Sequence, residues 1–153
     1  MKNSILTISA LMILAAPGAF AADHAGHDMK GHAAMSGAAH EEVVDGIKAT
    51  FTVQTMADAM KDMGMAMPKG VKETHHISLN LKDVKSGKAV TEGEAKLKVQ
   101  GPDKPDQTKE MMAMHGHFGA DLVMVKKGKY GVMCKFKTPD GKVRQAKFWY
   151  EVK

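Results

Sequence analysis

Cysteine, arginine and aromatic residues are scarce in this sequence, and each shortage excludes a class of function. Of its 153 residues one is cysteine, Cys134, which excludes an intramolecular disulfide framework and metal sites built from several thiolates. Aromatic residues make up 5%, and the single arginine, Arg144, accompanies lysines that are scattered along the chain. A nucleic-acid binder concentrates basic and stacking residues in one patch, so we expect no nucleic-acid partner. The length favours one domain.

Methionine and histidine, by contrast, are abundant. The chain contains 14 Met and 8 His. Thioether sulfur and imidazole nitrogen form a ligand set that suits copper, since Met favours Cu(I) and His serves both copper oxidation states. The composition therefore predicts a protein that binds copper.

The first 21 residues have the features of a secretory signal peptide. Lys2 precedes an apolar stretch at residues 5–16, and Ala19-Phe20-Ala21 matches a cleavage site of small residues. A membrane-spanning helix needs roughly 20 apolar residues, which this stretch does not reach. We therefore predict cleavage after Ala21, with Ala22 as the alternative, a periplasmic location and no transmembrane segment after cleavage.

Residues 22–42 are predicted to form a flexible tail, because they lack the large apolar side chains that offset the entropy of ordering a chain. Metal-binding side chains recur along this segment: His24, His27, Met29, His32, Met35 and His40. Such tracts are typical of segments that collect metal ions with low affinity. The alternative is a linker whose histidines have no metal role.

From residue 43 to residue 153 the hydrophobic period changes to two, which indicates β-strands. Apolar residues alternate with polar ones at 47–53, 77–81, 95–99, 130–136 and 146–152, and a short apolar run lies at 122–125. Turn-forming residues separate these segments, for example at 85–88 and 138–142. Six or seven short strands over this length predict an all-β fold, a small antiparallel β-sandwich with an immunoglobulin-like arrangement.

Residues 111–117 hold the densest group of metal-binding side chains in the chain. Treated as a single strand, this segment places Met112 and Met114 on one face and His115 and His117 on the other. Both pairs can join one site only if the chain bends, which the nearby glycines permit. Core methionines with surface histidines are the alternative, and we favour a metal site.

Residues 56–67 contain five methionines. The spacing of four of them predicts a short helix with an apolar stripe: Met56, Met60, Met63 and Met67. Alternate methionines at the end of this segment also leave their sulfurs free to bind one Cu(I) ion. Two interpretations remain open, namely metal ligands, with Met65 and Met67 as candidates, and a helical lid that covers the sandwich.

Two adjacent histidines, His75 and His76, begin a predicted strand. By alternation His75 shares the core face with Ile77, whereas His76 faces outward. A histidine at the start of a strand lies at the end of a sandwich, where loops from other strands can reach it. Both are therefore candidate metal ligands, and hydrogen-bonded end residues are the alternative.

Cys134 and Trp149 lie on opposite faces of predicted strands. Cys134 shares its face with Val132 and Phe136, so we predict a buried, unreactive thiol, and a thiolate copper ligand is the alternative. Trp149 is predicted to face outward, as a surface contact or as a cover over a ligand site.

The segments THHISLNLKD, MMAMHGH, GADLVMVKKGKYGVMCKFKTPDG and AKFWYEV resemble the YtkA-like and FixH-like periplasmic domains over about the last 80 residues. These domains are small immunoglobulin-like sandwiches related in architecture to CopC-type copper carriers. The resemblance implies copper ligands at Met112, Met114, His115, His117 and either His75 or His76. This chain departs from the CopC pattern, because no histidine begins the predicted mature protein.

These features together predict an exported protein that buffers or delivers copper, carried as cargo. Motifs of nucleophilic, zinc-hydrolase, nucleotide-binding and haem enzymes are missing, so we expect no enzyme activity. The expected partners are metal ions and either another copper carrier or a membrane metalloprotein. The alternative function is a non-catalytic interaction module, an accessory subunit of a membrane or envelope complex.

Overall fold

The computed structural model describes residues 37–103 and 106–153, so the predicted signal peptide and the predicted tail up to residue 36 lie outside the described residues. Within the described residues the chain forms β1 (His40–Val44), β2 (Ile47–Thr55), α1 (Met56–Asp62), β3 (His75–Asp83), β4 (Ala89–Val90), β5 (Glu94–Gln100), β6 (Asp106–Met114), β7 (His117–Leu122), β8 (Gly128–Lys137) and β9 (Val143–Val152). No helix in these two ranges is long and apolar enough to cross a membrane.

The strands form one antiparallel, nearly closed sheet in the order β1-β2-β3-β7-β6-β5-β8-β9, with β4 paired to β3. The sheet has two halves: strands β1–β4 and β7 form one, and strands β5, β8 and β9 form the other. Strand β6 belongs to both halves, since residues 106–111 pair with β5 and residues 112–114 pair with β7. The two ends of the sheet meet through side chains. Glu42 accepts a hydrogen bond from the backbone N–H of Lys147, and the Arg144 guanidinium donates to the carbonyl of Asp45.

Alternate residues of both halves fill the space between them. The largest fully buried side chains include Phe51, Phe118, Phe136, Ile77, Leu79 and Leu97. Removing such a side chain from water stabilises the fold by about 1.5–3 kcal/mol. Cys134 lies in this core, as predicted, and burial raises the pKa of its thiol to about 12. The thiol is therefore protonated at neutral pH.

The all-β antiparallel prediction is confirmed, but the predicted count of six or seven strands is too low, because nine are present in the described residues. Strand β6 lacks alternation, since only Met111 of its nine residues is buried. The run at 122–125 is a strand only at its first residue. Beyond it, the Gln107 side chain donates to the Val123 carbonyl and accepts from the Val123 N–H, so a side chain replaces the strand pairing there.

The predicted helix is present as α1. Thr55 caps its N-terminus, because the Thr55 hydroxyl accepts a hydrogen bond from the backbone N–H of Asp58 at 3.1 Å. The helix ends at Asp62, so Met67 lies beyond it and does not extend the predicted stripe. Met56 and Ala59 are the buried residues that attach α1 to the sheet.

Candidate metal site

A tight turn decides which side chains of residues 111–117 share a face. Strands β6 and β7 are joined by His115 and Gly116 alone, with φ of 45° and 85°. Two left-handed central residues are typical of a type I′ hairpin turn. Met114 therefore pairs with His117, and both lie on the outward face. The segment is therefore a hairpin and not one strand, so Met114 and His117 do not face opposite ways, and the bend that the glycines permit is present at Gly116.

His76 lies on the next strand, and its ring orientation is fixed by a carboxylate. Asp121 on β7 pairs with His76 on β3, and its Oδ1 is 2.7 Å from His76 Nδ1. Because a carboxylate accepts, the contact places a proton on Nδ1, which leaves Nε2 as the nitrogen that can bind a metal ion. The ring therefore offers Nε2 as a metal donor.

The space that receives this donor exists because residue 119 is glycine. A Cβ placed on Gly119 would lie 3.0 Å from His76 Nε2, 2.8 Å from His76 Cε1 and 3.2 Å from Met114 Cε. An imidazole and a thioether group thus converge over one bare stretch of backbone. We call this space the Gly119 hollow.

His117 faces the same hollow from β7. Its ring centroid is 6.4 Å from that of His76, and the two ring planes are perpendicular. Burial lowers the pKa of His117 below its ordinary value, and positive charge on His76 would lower it further. A neutral imidazole at neutral pH is the form that binds a metal ion.

Helix α1 forms the other wall of a cleft of about 320 Å³ above the hollow. Met60 and Met63 line this wall, whereas Thr52 and Gln54 line the side nearest β1. His115 lies at the rim. The cleft is thus lined by imidazoles and thioethers, by the carboxylates of Asp62 and Asp121 and by uncharged polar side chains.

Of the eight predicted metal ligands, four line this cleft: His76, Met114, His115 and His117. Met112 shares the outward face but is 70% exposed, and Met65 and Met67 are also exposed. None of these three methionines lines the cleft.

His75 points the other way. It is buried on the inner face, where burial lowers its pKa, and its Nδ1 lies 2.9 Å from the Thr74 hydroxyl. Its place in the core follows the predicted alternation, but the same alternation separates it from His76 and from the cleft. The interpretation of His75 as a hydrogen-bonded residue at the strand end fits this position.

His40 and Trp149 also lie apart from the cleft. Strand β1 begins at His40, inside the segment predicted as tail, and the His40 ring stacks on Phe148 with a centroid distance of 4.9 Å. Trp149 is exposed on the outer face of β9, as predicted, and its ring lies over Gly131 of β8. It does not cover the cleft.

Sequence reasoning missed Asp121, Gly119 and the role of Met60. Asp121 was missed because its partner, His76, lies 45 positions earlier in the chain, and no local pattern indicates that contact. The His115-Gly116 pair was the available signal, because a glycine preceded by a residue that tolerates positive φ indicates a hairpin turn. Once that turn is placed, the shared face of Met114 and His117 follows.

The donor chemistry of the cleft is mixed. Within the described residues no group of three or more His, Cys, Asp or Glu side chains is placed to hold a metal ion. Three imidazoles and the neighbouring thioethers line the cleft, together with two carboxylates that are engaged by Gln54 and His76. Soft neutral sulfur with imidazole nitrogen suits Cu(I) and Cu(II) better than the harder divalent ions.

No protein-family model and no curated protein matches this chain. Several solved structures do share its fold. FetP of uropathogenic Escherichia coli strain F11, produced in the periplasm of the expression host, has a TM-score of 0.58 at 15% identity over 75% of this chain and 93% of FetP. A copper-bound FetP variant has a TM-score of 0.57 at 14% identity, covering 74% of this chain and 89% of that one. A copper-bound variant of a Campylobacter jejuni protein has a TM-score of 0.54 at 13% identity, covering 75% and 95%. At these identities the likeness concerns the fold alone.

Proposed function

We propose that this protein binds copper in the cleft above the Gly119 hollow and buffers or delivers it as cargo, without catalysis. The observation that carries the proposal is the convergence of His76 Nε2 and Met114 over Gly119, opposite His117. Two imidazoles and a thioether are a copper ligand set. Asp121 supports it, because a carboxylate that holds the far nitrogen of a ligating histidine fixes both its tautomer and its orientation.

Fold likeness to copper-bound proteins supports this proposal and the CopC-type architecture that the resemblance implied. The finer immunoglobulin-like arrangement and membership of the YtkA-like or FixH-like domains stay predictions. So does the periplasmic location after cleavage of residues 1–21, which the features of the signal peptide favour. Another copper carrier or a membrane metalloprotein remains the proposed donor or acceptor.

The experiment is a Cu(I) competition titration of the intact chain against a chromophoric chelator. His76→Ala combined with His117→Ala removes both imidazoles, so the affinity should fall by more than the roughly 10–100-fold that loss of a supporting residue costs. Copper binding that survives this double substitution would place the site elsewhere. No binding by the unaltered chain would leave the interaction module as the better function.

Two methionines of β6 provide a matched pair for the same titration. Met114→Leu removes a sulfur that lines the cleft, whereas Met112→Leu removes an exposed sulfur two residues away on the same face. Both changes preserve volume and hydrophobicity. We expect weaker Cu(I) binding only for Met114→Leu, and equal effects would contradict this ligand assignment.

A further inference from the structure

The outer face of β5, β8 and β9, on the other half of the sheet from the cleft, is strongly basic. Six exposed lysines of these strands point outward by alternation: Lys96, Lys98, Lys129, Lys135, Lys137 and Lys147. Glu94 and Glu151 are the acidic residues of the same face, so six lysines against two glutamates give a formal charge of +4. Lysines that are scattered along the sequence are thus gathered on one surface, which we call the lysine face.

The outer face of β1, β2, β3 and β7, which carries the cleft, is neutral by comparison. Its outward lysines are Lys48 and Lys82, and its outward acids are Glu41 and Asp121. Because the core lies between the two halves, these two faces point in opposite directions. The positive charge of the sheet is therefore concentrated on the side away from the cleft.

Most of the charge on the lysine face is not neutralised within the protein. Two of the lysines contact carboxylates of β6. The other four form no ion pair within residues 37–103 and 106–153: Lys129, Lys135, Lys137 and Lys147. Lys96 and Lys135 are register partners on β5 and β8, and like charges directly opposite one another destabilise a sheet. An anionic surface laid on this face would relieve that repulsion.

The single tryptophan of the chain lies within the lysine face. Trp149 is 72% exposed, and its ring lies over Gly131, its register partner on β8. Lys147 is two residues away on the same side of β9, and together with Met133 it lines a depression of about 250 Å³ beside the ring. An amphipathic ring beside unpaired cations offers apolar contact and charge attraction at the same place.

The residue types of this face favour one kind of acidic occupant over others. Interfaces between proteins are enriched in Arg and depleted in Lys, whereas the only arginine of the chain, Arg144, is buried. A nucleic acid would call for several stacking rings, and these three strands direct one, Trp149, outward. Anionic lipid headgroups attract lysine without a fixed geometry, and tryptophan is enriched where a bilayer meets water.

We propose that the lysine face docks on a bilayer surface that carries anionic lipid headgroups, with Trp149 at the level of the headgroups. The proposal is independent of copper binding, since no residue of the lysine face lines the cleft. Docking through this face leaves the cleft, on the opposite face, open to water. The attraction is screened over about 10 Å at roughly 0.1 M salt, so the contact is reversible and weakens as salt is raised.

The first experiment uses Trp149 as its own reporter. Vesicles of phosphatidylglycerol mixed with phosphatidylcholine are added to the exported protein, and tryptophan emission is recorded. We expect a shift to shorter wavelength that added salt reverses, and no shift with phosphatidylcholine alone. No shift with either vesicle would overturn the proposal, as would an equal shift with both, which would indicate attachment by an apolar segment. The same shift with soluble polyglutamate would overturn it in favour of an acidic polypeptide.

The second experiment measures co-sedimentation with the phosphatidylglycerol vesicles for matched variants. Lys135→Gln with Lys147→Gln should weaken binding by about twentyfold, since each lysine near an anionic surface contributes roughly fivefold. Lys61→Gln with Lys82→Gln removes the same charge from α1 and β3, and its loss should stay under about threefold. Trp149→Ala should weaken binding by about tenfold, because it removes the apolar contact. Equal losses in the two lysine pairs would overturn the proposal, since net charge and not this face would then drive binding.

Discussion

Two glycines, one on each outer face of the molecule, leave room for a ring from a neighbouring strand. Above Gly119 lies the His76 ring, and a Cβ there would come within 2.8 Å of His76 Cε1. Above Gly131 lies the Trp149 ring, and a Cβ there would come within 3.3 Å of Trp149 Cζ3. Neither glycine has a positive φ, so both are required for space and not for backbone conformation.

The surroundings of the two rings differ. The His76 side chain is 14% exposed, bonded to Asp121 and faced by His117. Trp149 is 72% exposed, and its strand neighbours Lys147 and Glu151 are exposed too. Open space over a glycine therefore does not by itself make a ligand site. What distinguishes the Gly119 hollow is that its ring is oriented by a carboxylate, partly desolvated and faced by further donors.

Among substitutions that leave the proposed ligands in place, the largest effect should come from filling the Gly119 hollow. Gly119→Val places a branched side chain where the His76 ring and the Met114 methyl lie, so both donors must move. We expect copper affinity to fall by about a hundredfold, the upper end of what disturbing the support of a ligand costs. Competition with a chromophoric chelator measures it.

Gly131→Val is the matched control for this change. It introduces the same side chain in the interior of another strand and displaces the Trp149 ring instead. Copper affinity should stay at the value of the unaltered protein, with circular dichroism confirming that both variants fold. A similar loss in both variants would mean that valine disturbs the sheet as a whole. That result would contradict a specific role of the Gly119 hollow in copper binding.

A smaller effect should follow from removing the orienting carboxylate. Asp121→Asn keeps the size of the side chain, but its amide can donate as well as accept, so it no longer requires the proton on His76 Nδ1. Copper affinity should fall by about tenfold, and nitrogen NMR shifts of the His76 ring should show a mixed tautomer.

Asp62→Asn serves as the control for Asp121→Asn. Asp62 also lines the cleft, but its carboxylate accepts from Gln54 and not from a histidine. The same loss of charge there should leave the His76 tautomer unchanged and weaken copper binding less. Equal losses would indicate that Asp121 acts through its charge and not by orienting the ring.

Much of the frame was predictable from the sequence, because two-residue alternation reports burial directly. Strands β2, β3, β5, β8 and β9 have buried inner faces and were predicted. Strand β6 was missed because its first five residues, 106–110, are polar on both faces. The strand is held in the sheet by its pairing with β5 on one side and β7 on the other. Local periodicity cannot detect that kind of stabilisation.

The site was predictable only in part, for a related physical reason. Alternation correctly placed His76 on an outward face, but it assigned Met114 only to the same face as Met112. The Asp121 contact spans 45 positions, and only the register between β3 and β7 creates it. Met65 and Met67 were selected because alternate methionines can converge on one ion, but both side chains are exposed and neither lines the cleft. A site assembled from four elements depends on pairings that no single segment encodes.

The smallest effect should come from the core beneath the Gly131 face. Cys134 on β8 lies in the core between the two halves of the sheet, with its sulfur 3.9 Å from Met111 Sδ. Burial raises the pKa of its thiol to about 12. A protonated thiol that faces inward cannot join donors on the outer face of β3 and β7. Cys134→Ala should therefore leave copper affinity unchanged and reduce the free energy of unfolding by about 1 kcal/mol, which chelator competition and denaturant unfolding measure on the same sample. In the unaltered protein the thiol should resist alkylation at pH 8 until denaturant is added, since thiolate is the reactive form. A marked loss of copper affinity in Cys134→Ala would instead indicate that the thiolate is a ligand. The copper site would then not be confined to the face of the sheet that carries the Gly119 hollow.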